Sequence, residues 1–202
     1  MATNTLSIGS KIPEFNSKGI DGKTYSSESF KDTIGLIIIF SCNHCPYVQA
    51  YEGRIKAIQN DYKDKGITVA AINSNDDVNY PDDSFENMKK RAAEQNFNFI
   101  YLRDEDQSVA RKFDATHTPE IFLFDEDRKL VYHGKIDDNW QEPEKVVNHY
   151  LRNALNEMLE GNEISVPETY SIGCTIKWKN WFLFEKDHMN LIFVNNSKNL
   201  ME

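Results

Sequence analysis

The chain predicts an α/β fold, with a central mixed β-sheet flanked by helices and an N-terminal β-hairpin. Three observations carry this. The apolar run Gly35-Leu36-Ile37-Ile38-Ile39-Phe40 reads as a strand buried on both faces. A helix-period stripe follows, and then a second apolar run from Ile67 to Ile72. Strand, helix and strand between Ile34 and Ile72 form a βαβ unit, which closes a parallel pair by a right-handed crossover.

The elements follow in order. Lys11 to Tyr25 reads as a hairpin turning at Asp21-Gly22. A short polar connection, Ser26 to Phe30, leads into the buried strand. Val48, Tyr51, Ile55, Ile58 and Tyr62 mark one helix face, with Pro46 in the first turn and Gly66 as a left-handed cap. Asn73 to Asp83 is a polar loop, and Asp83 with Glu86 predicts a capped helix carrying Phe85, Met88 and Ala92 inward. Phe99 to Leu102 is a short strand, followed by a short helix near Gln107 to Phe113. Glu120 to Phe124 and Leu130 to His133 pair antiparallel across the turn Asp125 to Lys129. Pro143 opens a long helix with Val146, Val147, Tyr150, Leu151, Ala154, Leu155, Met158 and Leu159 inward, ended by Gly161. The expected organisation is one domain over 1–180 and an extension over 181–202, where two apolar runs flank a polar turn.

Composition narrows the function classes. Apolar content of 40% and charged content of 27% over 202 residues fit one ordinary globular domain. A net charge of −9 opposes nucleic acid and anionic membranes as partners. Gly35 to Phe40 and Trp181 to Phe184 are too short to span a bilayer. Met1 to Leu6 has neither the charged region nor the apolar core of a secretory signal, so the expected location is the cytoplasm. Three cysteines there do not make a disulfide framework, and a Cys-x-x-Cys inside a βαβ pattern reads as redox chemistry.

The chemistry converges on Cys42-Asn43-His44-Cys45. Both thiols fall between the carboxyl end of a buried strand and the amino end of a helix, where ligands gather in open sheets and free N–H groups favour a thiolate. The thiolate is the nucleophile of thiol chemistry. His44 is a candidate for lowering a thiol pKa from about 8.5 into the roughly 3.5–7.5 range; the bland reading is an exposed histidine. Cys42, His44 and Cys45 lie too close in sequence to form a regular tetrahedral set, so no metal and no cofactor is expected. Cys174 reads as a small buried hydrophobe or, more sharply, as a further resolving thiol brought beside Cys42. Trp178 reads as packed rather than placed at a rim. The acidic clusters at Asp76-Asp77, Asp82-Asp83, Asp104 to Asp106, Asp125 to Asp127 and Asp137-Asp138 read as solvated turns. Glu52 and Glu120 are available for proton transfer with nothing in the spacing to require it. His117 could reach the thiols; His133, His149 and His188 form no set.

Cys42-Asn43-His44-Cys45-Pro46-Tyr47-Val48, Thr118-Pro119 before a hydrophobic strand, and Ser171 to Lys179 together resemble the thioredoxin-like superfamily. The specific likeness is to the redoxin branch with the alkyl hydroperoxide reductases and thiol-specific antioxidant proteins, in a bacterial group. It covers roughly Ile8 to Lys179. It implies a thioredoxin-like fold and a disulfide exchange cycle in which Cys42 attacks, a mixed disulfide forms and Cys45 resolves it. It also implies a cis Thr118–Pro119 bond whose flanking backbone pairs with the partner. Partners would be protein or small-molecule disulfides and a thiol reductant; the oligomeric state stays open. Two departures stand out. With Cys45 set on the cysteine of the peroxidase pattern Pro-x-x-x-Thr-x-x-Cys, Cys42 falls at the Thr and Ile38 at the Pro. Ser41 replaces the tryptophan usual before the first cysteine. The reading is therefore a thiol–disulfide oxidoreductase, with a thiol-dependent peroxidase as the alternative and a non-catalytic metal- or partner-binding module as a third.

Overall fold

Seven consecutive residues, Gly35–Ser41, are all buried and form the central strand β3 of the computed structural model, which describes residues 6–179. The other strands are β1 (Asn16–Gly19), β2 (Thr24–Ser26), β4 (Ile67–Asn73), β5 (Ile100–Arg103), β6 (His117–Thr118), β7 (Glu120–Phe124), β8 (Leu130–Gly134) and β9 (Cys174–Thr175). The helices are α1 (Pro46–Tyr62), α2 (Phe85–Glu94), α3 (Ser108–Phe113) and α4 (Tyr150–Leu159). Seven strands form one mixed sheet in the order β2-β1-β5-β4-β3-β7-β8, and β6 pairs with β9 in a separate ladder. Strands β3, β4 and β5 run parallel, while β7 lies antiparallel to β3. The leading hairpin joins the sheet through β1 and β5, with Lys18 opposite Arg103. This is the thioredoxin-like architecture expected.

Alternation along β3 divides the core. Leu36, Ile38 and Phe40 face one layer with α3 and the aromatic group of Phe15, Phe113 and Phe122. Ile37 and Ile39 face the other, against Tyr51, Ile55 and Ile58 of α1 and Leu151 and Leu155 of α4. Such double burial explains why β3 has no polar side until Ser41. Gly66, at φ 78°, turns the chain from a 3-10 extension of α1 into β4.

Three expectations are corrected. The long helix from Pro143 to Gly161 is a 3-10 turn at Pro143–Lys145, a loop, and then α4. The Asp138 carboxylate takes the N–H groups of Val147 and Asn148, competing with helical bonds there, and Val147 is 81% exposed rather than inward. Helix α2 is capped by Ser84, whose side chain accepts from Asn87 N, not by Asp83. The acidic clusters are only partly solvated turns: Asp76, Asp83, Asp104 and Asp137 are buried. Asp104 accepts from Val109 N and Ala110 N at the start of α3, and Asp137 pairs with Arg54 at 2.7 Å. Buried carboxylates persist because each is fully hydrogen-bonded. The extension over 181–202 and His188 lie outside the described residues.

Phe122 meets Phe40 and Phe113 edge-on and His133 face-on. Phe122→Ala is expected to cost about 3–5 kcal/mol in urea unfolding, against less than about 0.5 kcal/mol for Val147→Ala.

Candidate active site

The site begins where β3 runs out of apolar residues. Cys42, Asn43 and His44 form the turn, and Cys45, with φ −72° and ψ 122°, is the N-cap of α1. Pro46 dictates this, because a proline drives the residue before it into extended backbone and stands well at the first helical position. The helix therefore starts at the second cysteine, and its free N–H groups and dipole face Cys45 rather than Cys42.

Both sulfurs converge on one residue. Cys42 Sγ is 3.3 Å from Thr118 Oγ1, and Cys45 Sγ is 3.2 Å from Thr118 O. The Thr118–Pro119 bond is cis. Both cysteines are buried, at 1% and 0% exposure. A polar cavity of about 260 Å³ opens beside them, lined in part by Asn43, His44, Gln49 and Asp82, but neither cysteine lines it.

The two thiols share their proton unevenly. Cys45 is held below the ordinary thiol pKa, chiefly by the Cys42 thiol beside it and against the effect of burial. The Thr118 carbonyl accepts only from a protonated Cys45 and works the other way. The start of α1 at Cys45 adds to the lowering. Its hydrogen bond to Cys45, burial and the Asp83 carboxylate push Cys42 up. The resemblance assigns the attacking thiolate to Cys42; the direction of the two thiol shifts and the N-cap position that Pro46 imposes favour Cys45.

Asp83, missed as a site residue, organises the turn. Fully buried, it accepts from Asn43 N (2.6 Å) and Asn73 Nδ2 (3.2 Å) at one oxygen. At the other it meets Asn75 Nδ2 (2.8 Å) and His44 Nδ1 (2.6 Å). His44 thus turns onto a carboxylate and stacks on Tyr80 at 5.4 Å. Tyr101 OH donates to Asn43 Oδ1 at 2.9 Å, closing the turn from beneath. Cys42 Sγ, a His44 ring nitrogen and an Asp83 oxygen lie within 4.8 Å of one another. That is one ligand short of a structural zinc set, and His44 and Asp83 already bind each other, so we assign no resident metal.

Glu120 positions the loop carrying Thr118. Its Oε2 accepts from Thr116 N (2.8 Å) and His117 N (2.9 Å), and its Oε1 meets His133 Nε2 at 2.8 Å. Burial raises its pKa, but the His133 and backbone donors outweigh it and leave the carboxyl below its ordinary value. Glu52 pairs with Arg91 at 2.6 Å, and His117 bonds Thr116 Oγ1 rather than a thiol. Cys174 is half-buried and packs against the cluster of Cys42, Cys45 and Val48, and burial together with the neighbouring Cys45 raises its pKa. Trp178 lies 39% exposed under the Arg111 guanidinium.

The redoxin family model matches residues 7–151. The chain belongs to the redoxin family. That membership makes it a thioredoxin-like redox protein. An uncharacterized conserved protein from Geobacillus kaustophilus is 41% identical, with a TM-score of 0.81 over 88% of this chain and 95% of that one. A hypothetical protein from Sinorhizobium meliloti 1021 is 34% identical, with a TM-score of 0.82 over 88% and 97%. The thioredoxin domain of a thiol-disulfide oxidoreductase from Bacteroides vulgatus shares the fold at 21% identity, with a TM-score of 0.56 over 64% and 89%. No curated protein sequence matches this one. Among the described residues, no helix is long and apolar enough to cross a membrane.

Two expectations follow from these charges. In a Cys174→Ser background, Asp83→Asn removes one of the causes, after the Cys45 contact and burial, that raise the Cys42 pKa, so the upper transition in thiolate ultraviolet absorbance should fall by about one pH unit; an unchanged transition would show that Asp83 does not act on Cys42. Glu120 has a folded pKa below its unfolded value, so its stabilisation is complete above the unfolded value, near 4.5, and is lost as pH falls through the folded one. Glu120→Gln should cost about 1–3 kcal/mol at neutral pH, with the gap to wild type closing in urea titrations below pH 4.5.

Proposed function

We propose that the chain is a thiol–disulfide oxidoreductase working through Cys42 and Cys45, with protein or small-molecule disulfides and a thiol reductant as partners. The supporting observation is that both sulfurs touch Thr118 while Cys45 occupies the N-cap position of α1. Cys45 as thiolate attacks a partner disulfide R–S–S–R′, forming Cys45–S–S–R and releasing R′S⁻. Cys42 then attacks the Cys45 sulfur, the Cys42–Cys45 bond forms, and RS⁻ leaves. The Cys42 proton passes toward the Asp83–His44 pair, whose atoms stand within 4.8 Å. His44 acts here as a tuning and proton-holding group, and Thr118 holds both sulfurs; the backbone edge beside Pro119, expected to pair with a partner, is taken instead by Cys174 and Thr175 of the chain itself.

A fast peroxidase finds less support, because its threonine and proline positions hold Cys42 and Ile38. Reduction of a small aromatic disulfide, recycled by dithiothreitol, tests the reading. Cys45→Ser should lower turnover at least about 100-fold, and oxidised wild type should carry a Cys42–Cys45 linkage by peptide mapping. Undiminished turnover in Cys45→Ser would overturn it.

A further inference from the structure

Residues 173–177 lie across the site as a strand of the chain's own. In the β6–β9 ladder, Cys174 stands opposite Thr118 and Thr175 opposite His117. Side chains paired in this way come within about 5 Å of one another. Because Thr118 touches both sulfurs, the residue opposite it is delivered to them, and that residue is a cysteine.

The placement is built rather than incidental. Gly173 rests on the Thr118 peptide so closely that a Cβ would fall 2.2 Å from the Thr118 carbonyl oxygen. Ile176 N donates to Thr116 O at 2.9 Å, and the Ile176 side chain is buried in the core. Two buried amides grip the backbone beyond. Lys177 N donates to Asn75 Oδ1 (2.8 Å), and Gln107 Nε2 donates to Lys177 O (2.9 Å). Asn75 is itself held by Asp83, so the support of this strand and that of the Cys42 turn are one network.

We propose that Cys174 is a third redox thiol, the internal partner of Cys45, and that the two form a disulfide in turnover. The proposal rests on the thiol–disulfide exchange reading. After Cys45 has opened a partner disulfide to give Cys45–S–S–R and R′S⁻, Cys174, in competition with Cys42, loses its proton to solvent and attacks the Cys45 sulfur. The Cys45–Cys174 bond forms, the Cys45–R bond breaks and RS⁻ leaves. Two protein sulfurs are oxidised and one partner disulfide becomes two thiols. Cys174 is more exposed than the buried pair, so this linkage moves oxidation from the interior to a place where a thiol reductant has access.

The test uses full-length Cys42→Ser treated with less than one equivalent of 5,5′-dithiobis(2-nitrobenzoate). The expected result is two thionitrobenzoates released per reagent molecule and a Cys45–Cys174 linkage by peptide mapping. One released, with the adduct left on either cysteine, would overturn the inference. Adding Gly173→Val lifts the strand from Thr118 and should stop the second release; an undiminished linkage in that variant would also overturn it. Wild-type turnover without the linkage in Cys42→Ser defeats this inference alone. Linkage without wild-type turnover defeats only the exchange reading.

Discussion

Asp83 has no contact with solvent, and both of its carboxylate oxygens are engaged. One oxygen holds the turn through Asn43 N, and the other holds His44 and Asn75. A carboxylate buried this way is tolerated only when its partners are complete, so the four groups around it are fixed as a set. The turn places Cys42, His44 sits beside it, and Asn75 grips the strand that carries Cys174. The three thiols thus owe their mutual placement to one charge that none of them touches through a hydrogen bond.

Much of this could be read in the sequence, and the boundary is physical. Double burial of β3, the stripe on α1 and the paired β7 and β8 are periodic, and periodicity survives without tertiary context. Val147 fits the α4 stripe by its apolar character, while the Asp138 carboxylate that draws its N–H away is a non-periodic contact nine residues distant. Asp83 followed by Glu at three residues carries a common helix-start signal, yet Ser84, one residue on, does that work. Nothing local distinguishes an acidic pair on a surface turn from one beneath it.

The site shows the same division. Cys42, Cys45, Thr118 and Pro119 are legible as motifs, but the charge distribution within the pair depends on the buried Asp83 and on Thr118, which no local pattern brings to the turn. For Cys174 the sequence offers a place beside the thiols without the contacts that put it there. Its position depends on a two-residue ladder and on the missing side chain of Gly173, both of which are pairings between segments more than fifty residues apart in sequence.

The stretch leading to Cys174 has another attachment. His133 N donates to Pro167 O and Thr169 N donates to His133 O, so residues 167–169 cover the outer edge of β8. An open sheet edge invites pairing with other chains. The same stretch therefore shields the sheet at one end and bridges the thiols at the other. Between that edge and the Thr118 contact of Gly173 the chain is Tyr170, Ser171 and Ile172, with Tyr170 91% exposed and Ile172 48%. Edge protection and thiol placement therefore rest on different residues of one segment, Pro167 and Thr169 for the first and Gly173 to Lys177 for the second.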